Sequence, residues 1–204
     1  MIPTPDGGEE HTAAVFDYPA KFLRDHRISR IRLYPPQYFL LDLVSKFFTG
    51  PPSLDPLAPS ESHPPEVLAA HYQDQRERLL KFIHTVPTSM TPYAEQHRTS
   101  QIPWAHKVMS PHRIGITRDN RAVLAVNRPG LELQGTGRGG DYERVILARF
   151  SLGGATDIEV RSREEARAEL AEKRREELEI RRIVYDRKDV GPEARRLRRQ
   201  ESKM

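Results

Sequence analysis

Pro35 to Gly50 reads PPQYFLLDLVSKFFTG, and the reading of this stretch decides the fold. Two prolines open it, which suits a helix start, because first-turn amides have no intrahelical partner to lose. Gly50-Pro51 closes it, a glycine stop followed by a residue that cannot continue a helix. Between these signals Tyr38, Phe39, Leu40, Leu41, Leu43, Val44, Phe47 and Phe48 occupy nearly the whole circumference of the cylinder. A helix apolar on most sides is buried on most sides. Leu, Ile, Val and Phe number 47 of 204 residues, so the core available to bury it is modest. The expectation is that partner subunits cover part of this helix, with Phe39, Phe47 and Phe48 as candidate partner-binding residues. The competing reading is an ordinary central core helix.

The flanks follow from the same rules. Residues 1–19 read as an extended arm. Lys21 to Arg32 interleaves Lys21, Arg24, Arg27, Arg30 and Arg32 with Phe22, Leu23, Ile28 and Ile31. Such a cluster can grip a phosphate backbone, which demands charge but carries no sequence code, and a nearby aromatic can stack on a base. It also fits a solvated helix face or a contact with an acidic protein surface. Six prolines between Pro51 and Pro65 predict a stiff, extended linker. Beyond it, Leu68, Tyr72, Leu79 and Ile83 recur at three- and four-residue multiples, which predicts a second helix over 65–84. The two helices are expected to pack as a hairpin, making 20–84 one unit.

Residues 85–113 show neither strand nor helix periodicity and contain Pro87, Pro92, Pro103 and Pro111. So long an irregular stretch is expected to be functional, disordered or laid along a partner. Trp104, the only tryptophan, is its candidate anchor, since the ring offers much area for little entropy; it equally suits a cap on the chain's own core. A small sheet follows over 114–152. Ile114 to Arg118 leads through the turn pair Asp119-Asn120 into Arg121–Val126, and Arg144–Phe150 forms a third strand, all antiparallel. Ser162-x-x-Glu165 is a capping box opening a highly charged helix, and 162–204 reads as that helix and a basic tail with Arg195, Arg196, Arg198 and Arg199. The fold class is therefore α+β: a helical hairpin, a three-stranded antiparallel sheet, long proline-rich segments and a charged C-terminal helix.

Composition narrows the chemistry. With no cysteine there is no disulfide framework, thiolate metal site or cysteine nucleophile. The longest nearly apolar run, Tyr38 to Val44, is far short of the ~20 residues that span a bilayer. Thirty-three basic residues against 29 acidic ones give +4, and 26 of the 33 are arginine. Arginine's planar fork suits phosphate and carboxylate and tolerates interfaces, although a GC-rich genome gives the same bias. Gly135-Thr-Gly137-Arg-Gly139-Gly140 satisfies G-x-G-x-x-G formally. Alternating residues follow it where a dinucleotide site needs a helix, so it reads as a flexible loop that touches RNA through its amides and Arg138. His97, His106 and His112 lack metal-ligand spacing, no nucleophile elbow is present, and paired acids fall on a solvated helix. The expectation is a protein that is not an enzyme and has neither cofactor nor metal.

Leu33-Tyr34-Pro35-Pro36 leading to Phe47-Phe48, then Glu143 to Ile146 ahead of a helix rich in Ala166-Arg167 and Glu176-Glu177, resembles one mitochondrion-specific family of accessory proteins of the small ribosomal subunit. That resemblance implies a non-catalytic structural subunit in the mitochondrial matrix, bound to ribosomal RNA and neighbouring proteins and not self-associating by preference. Two other classes share the same interface logic: an accessory subunit of a respiratory-chain or ATP synthase complex, and a cytoplasmic protein lining axonemal microtubules. Met1–Glu10, MIPTPDGGEE, is acidic and has no apolar run, so no leader is legible there. The chain is then cytosolic, imported by a signal it does not display, or already processed.

Overall fold

A computed structural model describes residues 16–50 and 64–188. Most of the expected N-terminal arm, the proline-rich linker and the basic tail with Arg195, Arg196, Arg198 and Arg199 lie outside the described residues. Helix α1 (Pro19–Arg27), α2 (Pro35–Ser45) and α3 (Pro65–His84) come first, followed by the short α4 (Pro92–Glu95). Strands β1 (His112–Ile116), β2 (Ala122–Val126), β3 (Asp141–Ser151) and β4 (Gly154–Ser162) form one antiparallel meander in sequence order. Helix α5 (Arg163–Lys188) follows β4 without a linker.

The α+β class stands, with four strands in place of the expected three. The fourth strand returns from β3 through Leu152-Gly153, and Gly154 takes the left-handed conformation at φ +107° that the turn requires. Its pattern is obscured by Asp157, which also has positive φ, and by a register shift opposite Leu147 and Arg149. The irregularity disrupts the two-residue period that a strand reading depends on.

The sheet is covered on both faces. Ile146 and Ala148 of β3, with Val126, Ala155 and Ile158, meet Leu23 of α1 and Tyr38, Phe39 and Leu43 of α2. Val145 and Leu147 point the other way, onto Ala166 and Leu170 of α5 with Val123 between them. Burial on both sides explains the unbroken apolar run Val145 to Ala148 within β3.

The hairpin partner of α2 is α1, not α3 as the sequence suggested. Helix α3 is held at the margin. Phe82 packs on Phe47 at 4.9 Å between ring centroids, and Gln75, fully buried, lies against Thr49 and the Gly50 carbonyl. On α2, Leu40 is the one apolar side chain that remains exposed. A single chain therefore covers most of a helix that the sequence had assigned in part to partners.

The 85–113 segment also packs on its own molecule. Ala94, Thr88, Thr99 and Ser100 are buried, and the Thr88 amide donates to the Ser100 carbonyl at 2.7 Å. The Met90 amide donates to Glu143 Oε1 at 2.9 Å, and the Val108 amide to the Gly139 carbonyl at 3.1 Å. Backbone pairing of this kind substitutes for secondary structure and leaves no periodicity to read.

Candidate nucleic-acid interface

Helix α5 starts at the end of β4 and crosses the sheet, anchored by Ala166 and Leu170. Gly115 lets β1 approach it closely: a Cβ there would stand 2.6 Å from Leu170 Cδ1. Arg163, Arg167, Leu170 and Arg174 are spaced at three-, four- and seven-residue intervals, so they share one helix face. Leu170 fixes that face toward the sheet, and the arginines either side of it border an open groove.

The groove, about 830 Å³, runs between β1 and α5 and is lined by Arg128, Arg163, Arg167, Lys173 and Arg174 with Glu177 as its one carboxylate. Lys173 is partly committed, donating to the Ile116 and Thr117 carbonyls and lying 4.0 Å from Glu177. Arg128, Arg163, Arg167 and Arg174 have no carboxylate within 4.0 Å among the described residues, unlike most cations of the sheet's far end, where Arg118, Arg121, Arg149 and Arg161 are all paired.

At one end of the groove lies an aromatic stack. The His97 ring lies parallel to Tyr142 at 3.8 Å, Tyr93 stacks on Tyr142 at 5.7 Å, and the Arg163 guanidinium carbon sits 4.3 Å from the Tyr142 centroid. Arg167 donates to the Tyr93 hydroxyl at 3.1 Å. Burial and the neighbouring charges of Arg163, Arg98 and Lys107 pull the His97 pKa down, so this ring is held neutral by burial within a local positive field.

The sequence-predicted residues do not form one array. Lys21 is paired with Asp17 and Asp25 at 3.2 Å each, and Arg30 faces Asp25 at 3.6 Å. Arg24 is exposed, and Arg27 donates to the Tyr38 hydroxyl at 3.4 Å. Arg27 and Arg32 border a separate groove of about 380 Å³ together with Asp157 of β4. Arg138 lies elsewhere, in a recess shared with His106 and Lys107. Of the candidate partner-binding residues, Phe39 is 0% exposed and belongs to the core. Phe47 and Phe48 are half-buried, and Trp104 packs between Phe39 and Phe82. Arg163, Arg167 and Arg174 escaped the sequence reading because a charged helix reads as a solvated face, and Arg128 because it is a lone cation in the loop after β2. For the three on α5, helical spacing was the available signal.

Comparison of the chain with protein-family models, with curated proteins and with solved structures returned no match. No group of His, Asp or Glu suited to a metal ion occurs among the described residues. Nor is any described helix long and apolar enough to cross a membrane.

Proposed function

We propose that the chain is a non-catalytic structural subunit of a large ribonucleoprotein assembly, with the small subunit of the mitochondrial ribosome as the specific case, binding RNA along the β1–α5 groove and neighbouring proteins elsewhere. The observation that carries this reading is the row of arginines in the groove without carboxylate partners among the described residues. From Arg163 to Arg174 the row is about 17 Å long at the helical rise. A row of that length suits a polyanion better than a single small anion. Arginine forks grip phosphate oxygens bidentately without reading bases, as a structural RNA-binding protein requires. Tyr93, His97 and Tyr142 at the groove's end add the aromatic surface that commonly accompanies single-stranded contacts.

The test is RNA crosslinking in the native particle, mapped by peptide, together with sedimentation of the chain. The expected result is co-sedimentation with RNA and crosslinks in peptides covering 112–128 and 163–177. A native complex without RNA, with protein crosslinks in those peptides, would instead support an accessory subunit of a respiratory-chain complex.

A further inference from the structure

Among the described residues, Arg163 is an unusual charge. It is 5% exposed, its Nη2 donates to Asn127 Oδ1 at 2.6 Å, and its Nε has no hydrogen-bond partner. No carboxylate among the described residues lies within 4.0 Å of it, and its remaining support is the face of the Tyr142 ring and the more distant Asp141 carboxylate. A buried guanidinium stays protonated, so the fold carries a charge that is desolvated but not neutralised. Such an arrangement costs stability unless something else supplies the counter-charge. Arg163 borders the groove, so the small part of it that remains accessible faces the space a counter-charge would occupy.

We propose that Arg163 is the seat for one backbone phosphate of the bound RNA, held between Asn127 and Tyr142, with Arg128 and Arg167 flanking it. This rests on the RNA reading of the groove and specifies which residue anchors it. The neutral amide of Asn127 orients the fork without quenching it, and Tyr142 fixes the guanidinium plane. Nη1, neither hydrogen-bonded among the described residues nor fully buried, is the donor left for a phosphate oxygen, and charge-assisted N–H···O bonds to phosphate are among the strong ones. The stacked His97–Tyr142–Tyr93 rings keep the guanidinium from reorienting, so the donor is in place before the ligand arrives.

Three variants of the full chain test this with a uridine homo-oligonucleotide as probe, by binding across a salt series and by thermal denaturation. Asn127→Asp supplies a carboxylate beside Arg163 at almost no change of shape. It is expected to raise the melting temperature and to weaken RNA binding roughly tenfold or more. Arg163→Met should melt no lower than wild type without RNA, bind RNA more weakly, and lower the slope of log affinity against log salt by about 0.7. Arg163→Lys keeps the charge without the fork and should retain the salt slope while losing affinity. RNA binding by the wild type that Asn127→Asp leaves unchanged would overturn the seat at Arg163 and leave the groove reading standing. Wild-type chain that binds no RNA, yet is stabilised by inorganic phosphate or an acidic peptide, would overturn both. Should Arg163→Met fail to fold, Asn127→Asp still decides the matter.

Discussion

Trp104 stacks on Phe82 with ring centroids 5.8 Å apart and planes 23° from parallel, and this contact joins α3 to the core. Trp104 also leans on Phe39 at 6.2 Å, so one side chain spans from a fully buried α2 residue to the marginal helix. Its Nε1 is buried without a partner, so the ring contributes packing and no hydrogen bond. Trp104→Ala is expected to cost about 3–5 kcal/mol in urea denaturation. Amide exchange should show α3 opening before the sheet. Trp104→Phe keeps a ring and deletes the unpaired N–H, so its cost should stay below about 1.5 kcal/mol. An alanine variant that leaves α3 as protected as before would show that Gln75 and Phe47 hold it unaided.

Limited proteolysis separates two views of the 85–113 segment. A stretch laid on a partner is cut in the free protein, whereas one packed through Thr88, Ala94, Thr99 and Ser100 is not. With trypsin, cleavage at Lys107, whose Nζ is tied to the Thr99 carbonyl at 2.7 Å, should be far slower than at the exposed Arg174 and Arg175 of α5. Equal rates at both places would refute the packed arrangement.

The sequence carried the class of the fold, the start of α5 at Ser162–Arg163 and the turn at Asp119-Asn120, because each is signalled locally by capping or turn chemistry. It did not carry partner choice. Whether α2 packs on α1 or α3 depends on how the connections route the chain, and periodicity contains no information about that. Strand β4 was hidden by Asp157 and the register shift beside it. The candidate site was hidden differently. Lys21 and Arg30 look like free cations in sequence but are paired with Asp25, while Arg163 looks solvated and is buried. Charge counts do not distinguish these cases; neighbours in space do.

Two glycines of the 135–140 loop are required for different reasons. Gly137 has φ +76°, and a Cβ added there would meet no atom within 4 Å, so its role is conformational. Gly140 is buried, and a Cβ there would collide with the Val126 carbonyl oxygen and with Met109 Cγ. Backbone cannot yield as a flexible side chain can. Gly140→Ala should therefore destabilise by more than about 3 kcal/mol, and Gly137→Ala by about 1 kcal/mol through positive-φ strain alone. Equilibrium denaturation of the two variants checks the order. The reverse order would mean that the loop's dihedrals, not the close approach of Gly140 to β2, set its glycine content.

Lys107 gives stability a dependence on pH. Burial pulls its ammonium down to about 8, against an ordinary value of 10.5, with the Asp141 carboxylate opposing that shift. Below pH 8 both folded and unfolded chains hold the proton, and the desolvation penalty on the folded state is fully present. Between about 8 and 10.5 the unfolded chain binds the proton that the folded chain has released, so stability from this group rises with pH. The slope is at most about 1.4 kcal/mol per pH unit. Above 10.5 both states are neutral and the gain is complete. Lys107→Met removes the titration together with the bonds to the Thr99 and Gly140 carbonyls at 2.7 and 3.2 Å. All other titratable groups are common to both proteins and cancel in the difference. The expected outcome is that wild type gains stability relative to Lys107→Met as pH rises from about 8 to about 10, read from denaturant midpoints at matched salt. Parallel curves would place the folded-state pKa near its ordinary value and return Lys107 to the solvent.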